Sequence, residues 1–122
     1  MIDGLGVDLV KIERIKHIID KWDKKFTAKL FTENEIQYCS KHKNQYLRFA
    51  STFAAKEALI KAHGRGNLKF KEIEILREIS GRPQVNLHGN ALKIINDKEI
   101  TTINVTITHD GEYTVAVVVL EK

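Results

Sequence analysis

FAAKEALIKAHG, Phe53–Gly64, decides how this chain is read. Ala, Leu, Ile and Phe fill most of it, as in an interior helix, and Gly64 suits a helix C-terminal stop. Glu57 and Lys61 interrupt the apolar run one turn apart. Positions i and i+4 share a helix face, and this face also carries Ala50 and Ala54, with Phe53 at its edge. A solvated Glu–Lys pair contributes only about 0.2–0.5 kcal/mol and normally sits among other polar side chains. Here alanines fill the turns. A lone carboxylate in such surroundings is costly unless a cation neutralises it. Lys61 is one candidate cation. A metal ion is another, and would leave Lys61 free for an anion.

Working outward, the helix extends from about Asn44 to His63. Ahead of it, Thr32 and Glu35 form a capping-box signature for a short helix over Glu33–Lys41. Ile12, Ile15, Ile19, Trp22 and Phe26 recur at helical spacing and predict one amphipathic helix over Lys11–Phe26. Ile2–Val10 reads as a buried first strand, with Ile2, Gly4, Gly6 and Asp8 on one face and Leu5, Val7 and Leu9 on the other. Beyond Gly66 the period changes. Lys71–Ile79 and Gln84–Leu87 read as strands joined at Ser80-Gly81-Arg82-Pro83. His88–Asp97 reads as a short helix. Ile103–His109 and Tyr113–Leu120 are strands joined at Asp110-Gly111. The predicted fold is α+β, a mostly antiparallel sheet packed against the long central helix, in one domain spanning residues 1–122.

The totals bound the function more loosely. The 122 residues, 43% of them hydrophobic, suffice for one core. Cys39 is the only cysteine, which excludes an internal disulfide and reads as an unreactive thiol. The opening MIDGLGVDLV has no basic region and is not read as a signal peptide, and no apolar run reaches membrane-spanning length. A cytoplasmic protein without a membrane partner is the expectation. The formal charge is +4, but unevenly spread: over Lys41–Lys71 eight Lys or Arg stand against Glu57 alone. An anionic ligand beside the central helix fits that excess.

Asp8 is the second unusual residue, closing an apolar strand on the face of Gly4 and Gly6, where glycine admits a close approach by backbone or ligand. It reads either as the N-cap of the next helix or, with Glu57, as a carboxylate pair suited to Mg²⁺, which keeps waters and shares substrate phosphate oxygens. Gly64-Arg65-Gly66 reads as a flexible helix exit or as a loop whose N–H groups and guanidinium meet a phosphate. Thr108 and His109, at a strand end, are surface residues or a phosphate grip. Arg14, Ile18, Lys21 and Lys25 form one stripe on the first helix, either a solvated face or a docking face.

GLGVDLV (4–10), FAAKEALIKAHGRG (53–66), SGRP (80–83) and ITHDGEYTVAVVV (107–119) occur in this order. Together they resemble the holo-acyl-carrier-protein synthases, the small 4′-phosphopantetheinyl transferases, over Ile2–Leu120. The resemblance implies Mg²⁺-dependent transfer of the phosphopantetheine arm of coenzyme A to a serine of an apo acyl carrier protein, releasing adenosine bisphosphate, in support of fatty acid biosynthesis. It implies a homotrimer with each site between two subunits. Asp8 and Glu57 match the metal carboxylates and Lys61 the lysine on the coenzyme A phosphates. Gly64 and Gly66 match the glycine loop, and Thr108 and His109 the pair holding the adenosine phosphate. The stripe of Arg14, Ile18, Lys21 and Lys25 matches the carrier-docking helix. Two departures are visible: Thr52 stands where many members have Arg, with Arg48 one turn earlier as its substitute, and Arg65 stands where Thr is frequent. The rival from another class is an RNA-binding surface using Tyr46, Phe49, Phe53 and Phe70, against which the absence of an RNP-type or Gly-x-x-Gly signature argues, so no nucleic acid partner is expected. A non-catalytic coenzyme A-binding subunit would need Lys61 and the glycine loop but not Asp8 or Glu57.

Overall fold

A computed structural model describes residues 1–122. The elements are β1 (Ile2–Lys11), α1 (Ile12–Trp22), α2 (Lys24–Leu30), α3 (Glu33–Lys41), α4 (Gln45–His63), a 3₁₀ turn (Phe70–Glu72), β2 (Ile73–Arg77), β3 (Pro83–Leu87), α5 (Gly89–Asp97), β4 (Thr102–Asp110) and β5 (Tyr113–Glu121). The strands form two antiparallel sheets, ordered β1-β5-β4 and β2-β3. The fold is α+β as predicted, with α4 laid across the inner face of the larger sheet.

The small residues of α4 make that crossing close. Ala54, Ala58 and Ala62 follow one another at i+4 and are buried. Opposite them on β1 are Gly4 and Gly6. A methyl group at Gly4 would collide with the Ala62 carbonyl oxygen, and one at Gly6 with the Ala58 carbonyl oxygen. Glycine facing alanine brings strand and helix backbones together, which is why alanine fills the turns around Glu57. Gly64 ends α4 in the left-handed conformation at φ 87°, its N–H donating to Ile60.

Two expectations about the first 30 residues change. The predicted Lys11–Phe26 helix is two helices, broken at Asp23, whose φ of 47° turns the chain. Trp22 is therefore 52% exposed rather than part of the core stripe, and Lys21 Nζ lies 5.4 Å from its ring centroid. The first strand is buried on one face only. Leu5, Val7 and Leu9 are 65%, 55% and 61% exposed on the outer face of the sheet, beside half-buried Val115, Val117 and Val119 in register on β5. Period 2 sorted Gly4 to Leu9 correctly, but a bulge between Ile2 and Gly4 pairs Ile2 with Glu121 and leaves it exposed, and the protomer covers only one face.

Thr32 accepts from Glu35 N at 3.2 Å, and Glu35 Oε1 accepts from Thr32 N at 2.8 Å, completing the predicted capping box. Cys39 is buried against Thr52, and burial pushes its thiol pKa up to about 11, so the thiolate is not accessible at neutral pH.

Candidate active site

Asp8 lies mid-strand, paired with Ala116, and the N-cap of α1 is Lys11 without a side-chain cap. Asp8 is thus a residue of the inner sheet face, turned toward α4. Lys61 Nζ donates to Asp8 Oδ1 at 2.9 Å and to the Val7 carbonyl at 3.1 Å. The Lys61 ammonium therefore pairs with Asp8, not with Glu57. Glu57 is half-buried, and its carboxylate accepts no hydrogen bond from the protein. Burial raises its pKa first. The charge of Asp8 raises it further, and Lys61 opposes both. Two acids and one ammonium leave the cluster net negative, with Glu57 unpartnered. That donor set fits one divalent cation held by two carboxylates; the chain has no trio of His, Cys, Asp or Glu placed to cage a metal without help from a ligand or water.

Gly64 and Gly66 border open space: side-chain atoms built on either would touch nothing within 4 Å. Gly66 lines a groove of about 490 Å³ whose walls include apolar Leu30, Ile60, Leu68 and Phe70 together with Lys29, Lys69 and Lys71. Arg65 turns to the other side of the loop, into a cavity of about 340 Å³ with His63, Asn67 and Lys98. Thr108 and His109 do not join Asp8 in the protomer. They lie on edge strand β4, beyond β5 and so roughly 10 Å away by strand spacing, and both are exposed. Thr108 falls in the row of Leu9 and Val115, on the uncovered outer face.

Arg48 stands on the same side of α4 as Thr52, about 40° from it around the helix. At about 100° per residue it stands about 180° around α4 from Glu57. Its neighbours are Cys39 and Arg77, and its Nε is buried without a partner. Thr52 shares that inward side, 2% exposed. Of the predicted docking stripe, Arg14 and Lys21 are exposed and Ile18 half-buried on α1, while Lys25 belongs to α2. Lys25 lines a shallow cavity of about 360 Å³ with Trp22, Phe26 and Lys29.

The aromatics of the rival reading are engaged internally. Phe49 packs edge-on against Phe31, with ring centroids 5.1 Å apart, and Phe53 packs against Phe70 at 5.4 Å. Tyr46 donates to Asp20 at 2.6 Å. A stacking surface for bases would display such rings.

Sequence reasoning missed one constellation. Lys56, counted among the basic excess, is 0% exposed and pairs with buried Glu35 at 2.6 Å. The available signal was that Lys56 lies among Ala55, Ala58 and Leu59 with no acid one turn away on either side.

The chain as a whole matches a known class. The family model of the 4′-phosphopantetheinyl transferase superfamily matches residues 4–118, and the chain belongs to that superfamily. Within it, the chain is 41% identical over 124 residues to the holo-[acyl-carrier-protein] synthase of Syntrophus aciditrophicus, spanning 99% of this chain and 97% of that protein. Its fold matches the crystal structure of the Neisseria meningitidis holo-[acyl-carrier-protein] synthase with TM-score 0.93 at 28% identity over the full length of both. The Helicobacter pylori holo-[acyl-carrier-protein] synthase, solved in complex with coenzyme A, matches with TM-score 0.85 at 30% identity, covering 96% of this chain and 99% of that one. No helix is long and apolar enough to cross a membrane.

Proposed function

We propose that the chain transfers the 4′-phosphopantetheine arm of coenzyme A to a serine of an apo acyl carrier protein, in the cytoplasm and in support of fatty acid synthesis. The observation that carries this is the meeting of Asp8, Glu57 and Lys61 on the fold of the holo-[acyl-carrier-protein] synthases. The serine oxygen forms a bond to the phosphorus that bears pantetheine, the bond from that phosphorus to the bridging oxygen breaks, adenosine 3′,5′-bisphosphate leaves with the electron pair, and the serine proton passes to water. Asp8 and Glu57 would hold Mg²⁺, which when bound neutralises the diphosphate. Lys61, 53% exposed at its side chain, is free to swing from Asp8 to the charge growing on the leaving group. The open glycine loop would give N–H groups to the nucleotide.

The uncovered face of Leu5, Val7 and Leu9 supports a homotrimer with sites between subunits. A contiguous apolar sheet face of this kind is a burial surface. Thr108 shares it, so subunit contact would carry Thr108 and His109 toward a neighbour's nucleotide. Val7→Asp is expected to convert the oligomer to monomer by light scattering after gel filtration and to remove transfer with it. A trimer retaining full activity in that variant would refute the interface.

Mass spectrometry of an apo carrier protein after incubation with coenzyme A and Mg²⁺ tests the reaction. Gain of the phosphopantetheine mass is expected, and its absence on every carrier tried overturns the reading. Arg14→Glu with Lys21→Glu is expected to raise KM for the carrier about tenfold or more by removing charge complementarity, leaving KM for coenzyme A unchanged. Equal rises in both would remove the docking role.

A further inference from the structure

The ion pair of Lys56 and Glu35 lies away from the reacting groups, yet it is the most heavily bonded charged pair in the molecule. Lys56 Nζ donates to Glu35 Oε1 at 2.6 Å, to the Leu30 carbonyl at 2.6 Å and to the Phe70 carbonyl at 2.9 Å, so all three ammonium protons are used. It also lies 5.3 Å from the Phe31 ring centroid. Glu35 accepts in addition from Thr32 N at 2.8 Å and from Ile75 N at 2.7 Å. One pair thereby ties together the end of α2, the start of α3, the middle of α4, the 3₁₀ turn and β2. Burial pushes both partners toward their neutral forms, and their mutual attraction opposes this. Replacing a buried ion pair by apolar residues of the same volume is often neutral, but this pair also satisfies four backbone groups, so it fixes geometry as well as adding stability.

What the pair holds is informative. Two of the three Lys56 acceptors, Leu30 and Phe70, are walls of the groove that Gly66 enters. Phe70 packs in turn on Phe53, one turn before Glu57. Lys56 also immediately precedes Glu57, about 100° away around α4. Any roll of α4 that moved Glu57 relative to Asp8 would pull Nζ off three acceptors at once. We infer that Lys56 and Glu35 are positioning residues for transfer, fixing the roll of α4 that presents Glu57 to Asp8 and the spacing of the groove walls beside the glycine loop. This rests on the proposed role of Glu57 at the metal.

The test is the double variant Lys56→Met/Glu35→Leu, which removes both charges while filling the space. Thermal unfolding, Mn²⁺ affinity by EPR in the presence of coenzyme A, coenzyme A affinity by calorimetry, and kcat and KM for both substrates are measured. The double variant is expected to fold with a lowered transition, because Thr32 N and Ile75 N lose their acceptor and the Leu30 and Phe70 carbonyls their donor, to lose kcat about tenfold or more, as misplacement of reacting groups does, and to bind Mn²⁺ and coenzyme A more weakly, with KM for the carrier unchanged. A folded double variant with parental kcat and Mn²⁺ affinity overturns the inference and leaves a purely structural pair. If the double variant fails to fold, Glu35→Gln, which keeps size and an acceptor, is read the same way. Glu57→Gln run alongside separates the two claims: if it transfers at the parental rate, the metal role of Glu57 has failed. If it is inactive while the double variant is not, only the positioning role has failed.

Discussion

Glu57→Gln is expected to leave the fold intact and to cut phosphopantetheine transfer by about a hundredfold or more, a loss of the size found when one preorganised charge-stabilising group is removed from a reaction centre. Added Mg²⁺ should not restore it, because an amide does not replace a carboxylate toward a hard cation. Stability should move the other way. Burial and the charge of Asp8 raise the Glu57 pKa above its ordinary value. A carboxyl whose folded pKa is raised contributes most below its unfolded pKa, and that contribution is lost as pH rises through the folded value. At neutral pH Glu57 is therefore a small net burden on the fold, and the neutral Gln variant should unfold at the same temperature or slightly higher. Activity and stability thus separate, and thermal unfolding and carrier mass read on the same preparation check both. An inactive variant that has also lost its transition would mean that Glu57 is structural; undiminished turnover would mean that it is dispensable.

Gly6→Ala has the largest expected effect on stability. The added methyl would collide with the Ala58 carbonyl oxygen and stand 2.7 Å from the Ala62 nitrogen, both backbone atoms of α4. Nothing flexible can yield, so β1 must move off the helix. Overpacking of this kind costs about 1–3 kcal/mol and sometimes more, and backbone on both sides places this case at the upper end. Denaturant unfolding should show the loss, and transfer should fall with it, because displacement of β1 carries Asp8 away from Glu57 and Lys61. Gly66→Ala is the stability control. Its added methyl meets nothing within 4 Å, so its unfolding midpoint should scarcely change. Equal stability of the two variants would show that the close approach of β1 to α4 is not what the glycine is for.

The elements that periodicity encodes were legible. The central helix and its stop at Gly64, the capping box of Thr32 and Glu35, the Asp110-Gly111 hairpin and the two faces of β1 all follow from local spacing and turn chemistry. The carboxylates of Asp8 and Glu57 were legible as anomalies, because each interrupts an apolar pattern. The break at Asp23 was not. Trp22 and Phe26 continue the helical spacing, and neither Gly nor Pro marks the turn. Lys56 was misread because a long cationic side chain carries the same letter whether it reaches water or a buried carboxylate.

By itself the sequence determined which segments are helix and strand and which acidic residues are out of place, because those depend on neighbours within a turn or a pleat. Only the tertiary structure decided who pairs with whom: Lys61 with Asp8 rather than Glu57, Lys56 with Glu35 from 21 residues away, Arg48 away from the site and Thr108 on the outer face. Those outcomes depend on how closely α4 lies on β1 and which side of it faces α3, and distance and burial, not residue type, set the strength of a charge's interactions.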